Sequence, residues 1–161
     1  LAKMDFEEIV GMLVENSDEP YAEEIADEIM KQKRRGGIKT TTELKNVIER
    51  ALKKLPAKEQ KDAVKKACAR TFQALRIDVN SEFEVLYSFL EKLPDVMAPG
   101  GRAAILTFHS GEDRLVKKAF KDYQKAGIIS EVSKDVIRPS AEERARNPRA
   151  KSTRMRWAVK V

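Results

Sequence analysis

Several scarcities narrow the reading of this 161-residue chain before any motif is considered. The single cysteine, Cys68, excludes a disulfide framework or a thiolate metal site within one chain, and its place on the apolar side of a predicted helix makes it a core thiol. No apolar run approaches the roughly 20 residues of a membrane-spanning helix, and no signal-peptide pattern opens the chain, so the expectation is a soluble, cytoplasmic protein. Aromatic residues make up only 6% and are nearly absent from the basic loop between Ile137 and Arg156, which argues against base stacking of the single-strand-binding kind in that loop. Also missing are a glycine-rich loop opening a βαβ unit, a phosphate-binding loop, paired His/Cys metal spacing and a G-x-S-x-G turn. The residues by themselves show neither a cofactor cradle nor a metal site.

What the chain does have is charge, and its placement matters more than its total. Residues 134–161 hold nine basic residues against three acidic ones, a surplus equal to the whole net charge of +6. The C-terminal segment therefore carries the field that attracts phosphates, and the first 133 residues are balanced in sum.

Hydrophobic spacing organises the rest. Phe6, Ile9, Val10, Leu13 and Val14 form one helical stripe behind Asp5 as N-cap. Ser17-Asp-Glu-Pro20 restarts the chain for a stripe of Ala22, Ile25, Ala26, Ile29 and Met30, which Gly36-Gly37 ends. Thr40 and Glu43 have capping-box spacing before Leu44, Val47, Ile48, Ala51, Leu52 and Leu55, and a fourth stripe runs from Val64 to Leu75. Four such helices bury their stripes only by packing.

The stretch Arg70 to Glu82 marks the change to an α/β unit. Beyond Asn80, read as an N-cap, a helix runs to Pro94 and a turn at Pro99-Gly100-Gly101 leads into a strand, Arg102 to Phe108, that reads as buried on both faces of a parallel sheet. A helix through Phe120 and a strand at 128–132 follow. A Pro-, Arg- and Glu-rich loop then leads to a last strand with Met155, Trp157, Val159 and Val161 on one face and a wet, basic face of Arg154, Arg156 and Lys160.

Two segments carry candidate chemistry. Thr107 to Arg114 lies where a buried strand meets a helix, the edge at which open α/β sheets take ligands, and it holds the only histidine, His109. The same residues also fit plain capping, with Ser110 and Asp113 as the pair. The loop from Ile137 to Arg156 pairs guanidiniums with turn residues, which suits phosphate contact and equally describes a solvated charged loop. Lys31-Gln-Lys-Arg-Arg35 at a helix C-terminus complements the helix dipole.

Three blocks together resemble a known family. Arg70-Thr-Phe-Gln-Ala-Leu-Arg-Ile-x-Val-Asn80 with Glu82, then Ala98-Pro-Gly-Gly-Arg102 leading to Phe-His-Ser110 and Glu-Asp-Arg114, then Arg138-Pro-Ser140 with Asn147-Pro-Arg-Ala150 and Ser152, are similar to the bacterial 16S ribosomal RNA cytosine methyltransferases. The resemblance implies an α/β fold, a partial Rossmann-like methyltransferase sheet of about three strands preceded by an α-helical bundle lobe. The lobe is expected at residues 1–76 and the C-terminal part of the core at 77–161, with a basic loop at 134–152. It further implies an enzyme that uses S-adenosylmethionine to methylate the exocyclic amine of a cytosine, with 16S rRNA or the small ribosomal subunit as partner. A non-catalytic RNA-binding or ribosome-assembly module is the alternative.

By position in those blocks, the resemblance places His109 and Ser110 in the catalytic pocket and Arg138, Asn147, Arg149, Ser152 and Arg154 against substrate RNA. Arg70, Gln73, Arg76 and Asn80 would shape that pocket or tie the lobe to the core. The family's cofactor-binding residues would precede Leu1, so the segment alone is expected to be inactive and not to hold S-adenosylmethionine. A sheet without its early strands would expose an edge and favour a homodimer. Gly111 stands where the family commonly has Leu, and Ala67-Cys68-Ala69 where a His-Pro often occurs.

Overall fold

Helix α1 (Phe6–Ser17) begins where its local signals place it: Asp5 accepts from the Glu8 N–H at 2.9 Å, and the Glu8 carboxylate accepts from the Asp5 N–H at 2.8 Å. Two otherwise orphaned donors are satisfied reciprocally. The same box recurs at the start of α3 (Thr41–Ala51), with Thr40 and Glu43 exchanging bonds of 3.1 Å. The computed structural model describes residues 1–161, which divide into two units, Leu1–Glu82 and Phe83–Val161.

In the first unit α2 (Ala22–Arg34) lies between α1 and α3, and α4 (Ala57–Asn80) closes the bundle. The four stripes meet in one core in which Ile9, Leu13, Ile25, Ile29, Val47 and Ile48 are fully buried. Each such side chain contributes about 1.5–3 kcal/mol relative to exposure. Two local expectations are corrected. Ser17 and Asp18 do not cap α2: Ser17 ends α1, Asp18 turns the chain in the left-handed region at φ 51°, and Tyr21 precedes α2 without a side-chain cap. Asn80 is not an N-cap but the last residue of α4, with Ser81 at φ 49° turning the chain into α5 (Glu82–Val96). Position 76/77, the division that the resemblance implies, lies inside α4.

The second unit sets α5 and α6 (Ser110–Lys125) against a three-stranded sheet of β1 (Arg102–Thr107), β2 (Ile129–Val132) and β3 (Arg154–Lys160). The order is β1-β3-β2, and both outer strands run antiparallel to β3. β1 and β2 therefore point the same way with the last strand inserted between them. The two-sided burial expected of β1 is absent: Arg102, Ala104 and Leu106 are exposed, while Ala103 and Ile105 pack inward with Leu90, Leu93, Val116, Phe120, Ile129 and Ala158.

The faces of β3 are also reversed from expectation. Arg156 and Ala158 are buried, whereas Met155, Trp157 and Val159 are only half-buried. Arg156 is tolerated there because Asp113, in the first turn of α6, accepts both arms of its guanidinium at 2.7 and 3.1 Å. Lys160 reaches the C-terminal end of α5, where its ammonium donates to the Pro94 and Met97 carbonyls at 2.7 and 2.9 Å. A cation suits the negative end of the helix dipole.

Pro94 does not end α5, which continues to Val96. Its ring nitrogen has no proton for the Leu90 carbonyl four residues back, and the Tyr123 hydroxyl donates to that carbonyl at 2.9 Å. No helix is long and apolar enough to cross a membrane.

Candidate functional site

The C-terminal end of β1 delivers Thr107, Phe108 and His109 to the start of α6, and the local hydrogen bonds decide how they are held. His109, not Ser110, is the N-cap: its Nδ1 accepts from the Glu112 N–H at 3.4 Å. Glu112 returns the bond, its Oε2 accepting from the N–H groups of Phe108 at 2.8 Å and His109 at 3.4 Å. Nδ1 as acceptor places the proton of a neutral imidazole on Nε2, which lies 3.5 Å from Glu112 Oε1. The Phe83 ring tilts against the imidazole with centroids 5.8 Å apart. Ser110 is the first residue of α6 and is exposed. The cap pair expected from sequence was Ser110 with Asp113. The H-x-x-E spacing was equally visible, but histidine is not a customary capping residue and Asp113 is engaged by Arg156.

Backbone pairing brings the basic loop to this same end of the sheet. Thr107 of β1 is register partner to Arg154 of β3, and its hydroxyl donates to the Arg154 carbonyl at 3.4 Å. On the other side of β3, Ile137 and Met155 exchange backbone bonds of 3.0 and 2.9 Å. Arg138 and Arg154 are thus the next pair along the two chains, at the neck of the loop. His109 and Ser110 follow the strand end at which Arg138 and Arg154 also lie, although 45 residues separate Arg154 from His109 in sequence.

The loop itself is more ordered than its composition suggests. Ser140 caps a short helix α7 (Ala141–Arg146), accepting from the Glu143 N–H at 3.0 Å. Asn147 accepts from the Arg149 N–H at 3.2 Å to start a 3₁₀ turn, Pro148–Ser152, that Ala150 anchors at 5% exposure. Asn147, Arg149 and Ser152 are exposed on that turn. Arg146 is paired with Glu142 at 2.7 Å, whereas Arg138 and Arg149 are exposed and form no ion pair.

The remaining candidates lie on α4 and are held within the helical unit. Gln73 donates to the Asn16 carbonyl at 3.2 Å, and Asn16 in turn donates to the Ala74 carbonyl, pinning α4 to the end of α1. Arg76 grips Glu82 with bonds of 2.9 and 3.1 Å, and the Asn80 amide donates to the same carboxylate at 3.2 Å. Arg70 approaches Glu19 at 4.0 Å. Burial pushes the Glu19 carboxyl above its ordinary range, against the Tyr21 N–H bond and the Arg70 charge, which both pull it down.

A family model described as the MraW methylase family matches residues 1–161. The chain is 69% identical over 155 residues to "Ribosomal RNA small subunit methyltransferase H 1" of Lachnoclostridium phytofermentans, covering 96% of this chain and 42% of that protein. Against the protein of the same name in Agathobacter rectalis it is 66% identical, covering 96% and 45%. A more distant relative, "Ribosomal RNA small subunit methyltransferase H" of Elusimicrobium minutum, is 39% identical over 96% of this chain and 50% of its own length. The chain spans about half the length of the curated relatives it matches.

Proposed function

The chain belongs to the MraW methylase family, and on that premise we propose that it is the RNA-engaging part of a small-subunit rRNA methyltransferase. The observation that carries this is the continuous match, at 69% identity over 96% of the chain, to a protein bearing that name. In this reading the target is the exocyclic amine of a cytosine and the methyl donor is S-adenosylmethionine. The whole protein acts in the cytoplasm.

The residues present do not fit a cradle for the methyl donor. The backbone N–H groups at the β1–α6 turn, where an open α/β sheet takes its ligand, are already bonded to Glu112 and His109. The donor is held, in this proposal, by the other half of the protein. These residues contribute position: Arg138, Arg149 and Arg154, with Asn147 and Ser152, grip RNA phosphates, and His109 and Ser110 line the edge toward which the RNA is drawn. Arg70, Gln73, Arg76 and Asn80 act as braces of α4 and its exit.

Two titrations test this. An rRNA fragment should bind the chain with a steep salt dependence, and Arg149→Gln with Arg154→Gln should weaken it and lower the slope by about 0.7–0.9 for each phosphate no longer neutralised. Calorimetry with S-adenosylmethionine should show no binding to the 161 residues. Unchanged RNA affinity in the double variant, or tight cofactor binding by this chain alone, overturns the proposal. A non-catalytic module would pass the RNA titration and fail a methyl-transfer assay of the full-length protein. β1 also keeps one edge unpaired, which supports self-association, tested by sedimentation velocity.

A further inference from the structure

The balance of charge over the first 133 residues hides a polarity within the helical unit. Residues 44–70 alone hold nine basic residues and three acidic ones, the same surplus as the C-terminal segment. They run through most of α3, the link after it and the first part of α4, and residues of both helices line a groove of about 640 Å3. Its floor is apolar, with Val64, Cys68 and Phe72, and Lys45, Lys61 and Lys65 stand on its rim. Lys45 is paired with Glu49 at 3.3 Å, so those two cancel. Lys61 and Lys65, one turn apart on α4, form no ion pair and give the groove its positive sign.

We propose that this groove is a second RNA-contact surface, in which an unpaired stretch of the RNA lays its bases on the Phe72 floor and its phosphates against Lys61 and Lys65. The inference rests on the reading that the substrate is RNA, but on residues separate from the basic loop. An aromatic and apolar floor beside unpaired cations is the combination that holds single strands without reading sequence.

Cys68 makes the groove directly observable, because it lines the floor and is the only cysteine. Burial raises its pKa, so its reaction with a thiol reagent is followed at alkaline pH. Saturating oligocytidylate should slow labelling of Cys68 in the full chain. Lys61→Gln with Lys65→Gln should abolish that protection and lower the salt slope of binding by about 1.4, or about 0.7 for each phosphate that the variant leaves unneutralised. Circular dichroism of the double variant checks that the helical fold is kept. Unprotected Cys68 in chain saturated with RNA overturns the inference, as does equal protection by polyglutamate, which would mark an acidic polypeptide as the occupant. The loop reading fails independently: RNA binding that depends on Arg149 and Arg154 with Cys68 unprotected sinks only the groove, and protection with no loop dependence sinks only the loop.

Discussion

The Phe83 ring fills the space in which any residue but glycine at position 111 would carry its side chain: a Cβ on Gly111 would lie 2.6 Å from Phe83 Cζ and 3.2 Å from His109 Nδ1. Gly111 is buried in the first turn of α6, so the ring, the glycine and the capping histidine form one packed unit. Gly111 is matched by a large aromatic neighbour.

Gly111→Leu should therefore destabilise the protein even though it removes a glycine from a helix. Overpacking costs about 1–3 kcal/mol, against about 0.8–1 kcal/mol gained in helix propensity. Adding Phe83→Ala should recover most of the loss. Urea denaturation of the two single variants and the double reads the coupling, and simple additivity would show that the two residues do not share this space.

Tyr123→Phe should cost about 1–3 kcal/mol, because it strands the Leu90 carbonyl that Pro94 cannot serve. In a Pro94→Ala background the new N–H can take over that carbonyl, so the same substitution should cost clearly less. Equal costs in both backgrounds would refute the compensation.

Removing one partner of the Arg156–Asp113 pair should be more damaging than removing both. Asp113→Ala leaves a guanidinium at 9% residue exposure without its carboxylate, at a cost of about 3–5 kcal/mol. Asp113→Leu with Arg156→Met should recover a large part of it. Thermal melts of the variants decide, and a double variant no better than Asp113→Ala would argue against a buried charge as the cause.

Glu19 gives a pH signature. Burial holds its folded pKa above the unfolded value, so its ionised form opposes folding, and stability is lost as pH rises through that window. Glu19→Gln keeps an acceptor for the Tyr21 N–H and removes the buried charge. Its melting temperature should exceed the parent's at neutral pH, with the gap closing as the medium becomes acidic enough to protonate the carboxyl. A gap independent of pH would place the effect elsewhere.

Much of the helical unit was legible because its signals are local. Asp5 with Glu8 and Thr40 with Glu43 act across three residues, and the stripes from Ile9 to Ile48 repeat every turn. The candidate site was legible only in pieces. His109 and the basic loop were both visible, but the Thr107–Arg154 register that places them at one end of the sheet is a long-range pairing that no spacing encodes.

The amino-acid sequence by itself determined where α1 and α3 begin, which faces the helices of the first unit bury and which segments carry net positive charge, since capping, periodicity and charge need only near neighbours. The tertiary structure alone decided the faces of β3. Alternation yields two faces for any strand, but which is covered depends on the order of the sheet and the helices laid on it. Arg156 lies inward because Asp113, 43 residues earlier, waits there with both oxygens, and Lys160 because α5 ends within reach of its ammonium.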